Sequence, residues 1–227
     1  MNEALIDVII PVYNGAAYIS EAIASIQAQT WHNLTIIVVD DGSEDDTASV
    51  VEKLALSDKR ITLYKRKHSG VSSAINYALS VATANYVSFL DADDLWLPQK
   101  LEQQFKCLTE NKVAICFCLL QEFESDNETE IGQQFKARPN PLKGYSKTTF
   151  LGNKSVFEKY GLFNEDIATG DFIEWFSRAL RAEEPFVMID EVFSARRIHN
   201  SNTTRGVNKN AFLHILKTHL NEVRKSS

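Results

Sequence analysis

The sequence predicts an α/β domain: a mostly parallel sheet of Rossmann type, flanked by helices, with a short helical extension at the C-terminus. Three observations carry this. Short apolar, β-branched runs alternate with stretches of helical period through the first half of the chain. One of those runs, LTIIVVDD, is apolar almost throughout, as a strand covered on both faces must be. The resulting order, βαβαβαβ, calls for right-handed crossovers, which set successive strands parallel.

The elements follow in order. LIDVIIPVY is the first strand by its β-branched content, and Tyr18, Ile19, Ala22, Ile23 and Ile26 then recur at helical spacing. LTIIVVDD is the second strand, followed by a helix from about Asp46 to Leu56 and by ITLYKRK as the third strand. VSSAINYALSVA reads as a helix and NYVSFLD as the fourth strand. Pro98 suits the first turn of a helix that continues through Leu101, Phe105 and Leu108. VAICFCLL predicts a buried strand. From Glu124 to Lys147 the chain turns polar, with Gly132, Pro139, Pro141 and Gly144 and no sustained period, which predicts a long surface excursion. TTFLGNKSVFEKYG then gives a strand and a short helix closing at Gly161. DFIEWFSRALRA is helical, PFVMIDEVFSARRI is strand-like, and Phe212, Ile215, Leu216, His219 and Leu220 make a final amphipathic helix. One domain over residues 1–205 and a helix over 206–227 account for the chain.

Composition narrows the function. A net charge of -6 and a pI near 5.4 argue against a nucleic-acid binder, which shows a basic stripe. No apolar run approaches the roughly 18 residues of a membrane-spanning helix. The opening MNEALIDVIIPVYN has no basic segment ahead of its apolar run, so it reads as a strand and not a signal peptide. The expected location is the cytoplasm, with any membrane contact peripheral. Cys107, Cys116 and Cys118 lack further metal ligands nearby and are expected as free, buried thiols.

In open parallel sheets, ligands sit beyond the carboxyl ends of the strands. Three such ends carry unusual polar groups: PVYNG, DDGS and DADD. Asp40, Asp41, Asp91, Asp93 and Asp94 would then line one rim. Carboxylates crowded this closely repel one another. The expected neutraliser is a hard divalent cation, Mg²⁺ or Mn²⁺, which takes oxygen ligands and shares them with substrate phosphates. Capping of turns and helices is the competing account, above all for DDGSEDDT.

IPVYNG, VVDDGS and FLDADD, in this order on a βαβ frame, resemble the motifs of family-2 glycosyltransferases of the GT-A fold, and the likeness runs from about Ile9 to His199. The resemblance implies metal-dependent transfer of a sugar, with inversion, from a nucleoside-diphosphate sugar, expected to be UDP-linked. It implies that Pro11, Val12 and Tyr13 surround the nucleobase and that Asp41 accepts a hydrogen bond from it. Gly70 keeps a close-approach position, Asp91 lies near the ribose and the metal, Asp93 holds the metal, and Asp94 caps the next helix. ATGDFIEWFSR resembles the family's Glu-Asp pair, with Asp171 as general base; Gly170 stands where the family has Glu, and Glu174, one turn on, is the second choice. HSGVSSAIN departs too, with His68 and Ile75 in place of Asn and Arg. ARRIHN resembles the family's Arg-x-His element. It places Arg197 and His199 on one strand face at the diphosphate, His199 as a metal ligand.

On this reading the donor-binding half ends near residue 110 and the acceptor half occupies about 111–205. The acceptor would lie beneath the Glu124–Lys147 excursion. A glycan, a lipid-linked sugar, a peptide and a small molecule all stay open as acceptors. Two alternatives stand beside the transferase. A sugar nucleotidyltransferase needs a glycine-rich, basic phosphate loop that PVYNGAAYI lacks. A non-catalytic nucleotide-sugar binder is suggested by Gly170.

Overall fold

The computed structural model describes residues 4–124, 136–137 and 140–199. Strands β1 (Ile6–Val12), β2 (Leu34–Asp40), β3 (Ile61–Lys65) and β4 (Tyr86–Phe89) run parallel in the order β3-β2-β1-β4. Helices α1 (Ile19–Gln27), α2 (Thr47–Ser57) and α3 (Val71–Val81) form the crossovers. The expected βαβαβαβ frame is present, with element ends within a few residues of those read from the sequence.

The two-residue period of β1 divides the core. Ile6, Val8, Ile10 and Val12 pack on one face against Ile19, Ala22, Ile23 and Ile26 of α1. Ile9 points the other way, into the layer that holds Ala74, Ile75 and Ala78 of α3. Every residue of β1 is buried, which is why the run is apolar on both faces. Each such isoleucine contributes about 1.5–3 kcal/mol by leaving water. Asp7 is the exception, and its carboxylate accepts the backbone N–H groups of Thr83 (2.7 Å) and Ala84 (2.8 Å).

Beyond β4 the sheet becomes mixed. β8 (Leu151–Asn153) runs antiparallel between β4 and β6 (Ile115–Glu124), and β9 (Phe186–Ile198) lies parallel beside β6. Two very short strands, β5 (Leu95–Trp96) against β9 and β7 (Lys136–Ala137) against β6, have no sequence signal of their own. The helix α4 spans Lys100–Asn111, so Pro98 precedes it and does not form its first turn; the Pro98 carbonyl instead accepts the Thr30 N–H at 2.9 Å. α5 (Ser155–Tyr160) ends at Gly161 as expected, and α6 (Asp171–Arg181) follows.

The far end of the polar excursion is ordered against the sheet. Leu142 bridges to Leu120, and Lys147–Thr149 form a 3₁₀ turn. The middle of the excursion, apart from β7, and the helix expected over 206–227 lie outside the described residues. Cys107, Cys116 and Cys118 are free, the latter two buried. No described helix is long and apolar enough to cross a membrane.

Candidate functional site

The carboxyl ends of β1, β2 and β4, the start of α6 and the end of β9 converge on a cleft of about 610 Å³. Pro11, Val12, Tyr13, Asp41, Asp91, Asp93, Asp171 and His199 all line it, although the first and last lie 188 positions apart in the chain.

At one end, the Tyr13 ring stacks on His68 with centroids 4.2 Å apart. Asp41 ties this corner together. One carboxylate oxygen accepts Ser69 N–H (2.9 Å), and the other accepts Gly70 N–H (2.8 Å) and lies 2.9 Å from His68 Nδ1. Gly70 has φ +95 and open space where a Cβ would stand, so its conformation, not crowding by neighbouring protein atoms, requires glycine. Gly42 needs glycine on both counts: φ is +82, and a Cβ would meet His68 N at 2.7 Å.

The five rim carboxylates divide. Asp40 is turned out of the cleft and accepts Ser43 N–H at 2.9 Å, which is capping. Asp45 similarly receives the N–H groups of Thr47 and Ala16, both at 3.0 Å. Asp94 does not cap α4, whose preceding residue is Gln99; it is buried and accepts the Arg197 backbone N–H at 3.0 Å, tying the DADD turn to β9. Burial holds the Asp94 carboxyl well above the ordinary carboxylate range, with Asp93 and Asp91 adding to the effect. Asp91 is also pushed up by burial; Lys147 opposes this, while Asp93 and Asp171 add to it. Asp93 faces His199, with Oδ2 3.0 Å from Nε2. Tyr18 lies against the His199 ring, with centroids 4.7 Å apart.

Arg197 is not where the sequence pattern put it. Its side chain is fully buried beneath the cleft. There it pairs with Glu21, donates from Nε to the Asp93 carbonyl (3.0 Å) and lies over the rings of Tyr18 and Phe123. It supports the backbone of the DADD turn, and the cleft is lined instead by Arg196. Glu174 also falls outside the cleft lining. Its carboxylate is paired along α6 with Arg178, at 3.2 Å, because residues four apart share a helix face.

Asp171 is buried to 5% exposure at the first position of α6 and accepts Ser72 Oγ–H at 3.2 Å. Gly170 precedes it at φ +83, a left-handed conformation that a Glu would adopt only with strain. Lys147 reaches both Asp171 oxygens, at 3.1 and 3.3 Å, from the 3₁₀ turn. Sequence reasoning missed Lys147. It closes a polar, aperiodic segment and belongs to no motif, so only the fold brings it to Asp171.

Among the described residues, no three His, Cys, Asp or Glu side chains gather into a metal cage. Asp93 Oδ2 and His199 Nε2 nevertheless stand 3.0 Å apart at the cleft. Two protein donors suit an ion that keeps water and substrate phosphate oxygens as its other ligands. The residues therefore fit a divalent cation shared with a bound diphosphate.

Known proteins resemble this chain in sequence and in fold. The family model described as glycosyl transferase family 2 matches residues 7–173. An uncharacterized glycosyltransferase of Rickettsia typhi is 36% identical over 220 residues, covering 88% of this chain and 66% of the relative. The Escherichia coli UDP-Glc:alpha-D-GlcNAc-diphosphoundecaprenol beta-1,3-glucosyltransferase WfgD is 36% identical over 118 residues, 52% of this chain and 46% of that protein. Among solved structures, Staphylococcus aureus TarS in complex with UDP-GlcNAc superposes with a TM-score of 0.73 at 20% identity, covering 94% of this chain and 65% of that one. The mannosyltransferase PcManGT from Pyrobaculum calidifontis, in complex with GDP-Man and Mn²⁺, gives 0.70 at 21% identity, with 87% of this chain and 58% of that one. The chain thus spans about two thirds or less of the length of these relatives, and the structural likeness carries the GT-A fold. With the family model matched over most of its length, the chain belongs to glycosyl transferase family 2.

Proposed function

We propose that the chain transfers a sugar from a nucleoside-diphosphate sugar, UDP-linked, to an acceptor hydroxyl with inversion at the anomeric carbon. The observation that carries this reading is one cleft holding both an Asp93–His199 pair fit for a metal-bound diphosphate and, separately, a buried Asp171 carboxylate. TarS in complex with UDP-GlcNAc and the UDP-Glc specificity in the name of WfgD support the choice of a UDP-linked donor.

In this account Tyr13 and His68 receive the nucleobase, and Asp41 presents the carboxylate edge beside them. A Mg²⁺ or Mn²⁺ ion, held by Asp93 and His199 with Asp91 close by, would neutralise the charge that builds on the leaving diphosphate. Asp171 takes the proton from the acceptor hydroxyl as its oxygen attacks the anomeric carbon from the face opposite the diphosphate. Ser72 and Lys147 fix the direction of that carboxylate before the acceptor arrives. As Asp171 gains the proton, its attraction for Lys147 falls, while Lys147 still acts on the charge of Asp91. Gly170 favours a second reading, a binder of nucleotide sugars without turnover, because the family's Glu is missing beside the base.

A donor-turnover assay on a panel of UDP-sugars separates the two. The wild type should release UDP, whereas Asp171→Asn should bind UDP normally and release it at least a hundredfold more slowly, as expected for loss of a general base. Turnover by Asp171→Asn at the wild-type rate would remove Asp171 from the mechanism, and UDP binding by a wild type that turns over no donor would favour the binder.

A further inference from the structure

The segment Tyr145–Phe150 is built more rigidly than a loop at the end of a polar excursion needs to be. Three successive carbonyls are held by buried donors from other elements. Thr148 O accepts Trp96 Nε1 and Ser194 Oγ, both at 2.9 Å; Thr149 O accepts Gln104 Nε2 at 2.9 Å; Phe150 O accepts Ser88 Oγ and, at 3.3 Å, Lys100 Nζ. Thr149 Oγ1 closes the segment onto Gly144 O at 2.8 Å. Backbone fixed from below in this way presents its upper side at a constant height.

That upper side is the cleft wall. Tyr145 lines it and remains 40% exposed, although its ring is wedged from behind. Phe176 lies against the ring at 32° with centroids 5.2 Å apart, and Phe117 and Phe186 meet it near right angles. A large aromatic ring held so firmly and left open on a cleft has an unused face. Ser146, Lys147, Thr169 and Asp171 line the same cleft. Thr148, also a cleft residue, keeps a buried hydroxyl with no hydrogen-bond partner among the described residues.

We infer that Tyr145 is the platform for the acceptor, and that the acceptor presents a pyranose ring to it. This inference rests on the transferase reading above. A pyranose has a C–H face, which the electron-rich face of an aromatic ring attracts, and a rim of hydroxyls. An exposed aromatic ring in a cleft that also holds hydrogen-bond donors and acceptors matches both parts. An acyl chain or an apolar side chain would cover Tyr145 but leave the surrounding polar groups without partners, which costs free energy. A sugar ring stacked on Tyr145 can aim one hydroxyl at Asp171 and offer others to Ser146 and Lys147.

The test is saturation-transfer NMR on the full chain with UDP and Mg²⁺ present, using as probes the methyl glycosides of glucose, galactose, mannose and N-acetylglucosamine. The wild type and Tyr145→Phe should saturate the C–H protons on one ring face of at least one glycoside. Tyr145→Ala should weaken that binding roughly tenfold, consistent with the loss of one aromatic contact and its buried area. UDP affinity, measured by calorimetry, should be the same in all three proteins. A wild type that binds UDP but saturates no glycoside, or a Tyr145→Ala protein that keeps the signal, would overturn the platform while leaving the donor site intact. A wild type that fails to bind UDP would instead remove the transferase reading on which the platform rests.

Discussion

Lys100 offers a sharp test of how the cleft is supported. It is fully buried at the start of α4, with Nζ 3.1 Å from Ser88 Oγ, 3.3 Å from Phe150 O and 3.8 Å from the centre of the Trp96 ring. No carboxylate lies within ion-pair distance of it among the described residues. Burial therefore lowers its pKa from the ordinary 10.5 to about 8. The sign follows from proton counting. Between those two values the unfolded chain holds a proton that the folded chain has released, so the free energy of unfolding rises with pH across the window. At 1.36 kcal/mol per pH unit the full rise is about 3 kcal/mol. Lys100→Met removes the titrating group and keeps most of its apolar stem, and Ser88 Oγ–H still has the Phe150 carbonyl as partner. Urea unfolding of both proteins between pH 7.5 and 10.5 isolates the effect, because all other groups are common to the pair. The wild type should gain about 3 kcal/mol on the variant over that range. A difference curve flat to within about 1 kcal/mol would refute the placement of Lys100 as a buried cation without a carboxylate partner beneath the Phe150 carbonyl.

Two further substitutions test individual assignments. Arg197→Met should lower stability by about 3–5 kcal/mol in denaturant unfolding, because Glu21 would lose its buried partner; unchanged stability with weakened UDP binding would restore Arg197 to the diphosphate. Gly170→Glu, which returns the family's residue, should cost about 1–2 kcal/mol in thermal unfolding through its left-handed backbone; a more stable and more active variant would show that Gly170 is a loss without a conformational reason.

The parts of the fold legible in the sequence are those set by local pattern. Strands β1, β2 and β4 could be found because burial makes them largely apolar, β3 from its β-branched and aromatic residues, and α1 and α3 because one stripe of each is apolar. The strand-end motifs were legible for a related reason: an apolar strand that ends in Asp41 or Asp91 must deliver those carboxylates to the sheet's rim. What stayed hidden depends on pairing. Arg196 and Arg197 are adjacent, and which of them enters the cleft is fixed by how β9 packs beside β6, where the register shifts around Leu119. A two-residue alternation cannot foresee such an irregularity. Glu174 sits one turn from Asp171, but helical geometry gives it to Arg178. The strand β5 is two residues long and owes its existence to β9. Tyr145 and Lys147 acquire their roles only when α4, β4 and β9 reach up to hold the turn between them and β8.

The central claim is that the acidic rim grips a divalent ion carrying a diphosphate, with Asp93 and His199 as its protein ligands. Calorimetric titration of UDP into the full chain, with Mn²⁺ and with EDTA, for the wild type and for Asp93→Ala, addresses it most directly. The account predicts that Mn²⁺ tightens UDP binding to the wild type at least tenfold, about 1.4 kcal/mol, and has no effect on Asp93→Ala. Equal UDP affinity with and without Mn²⁺ in the wild type, or an undiminished Mn²⁺ effect in Asp93→Ala, would contradict it.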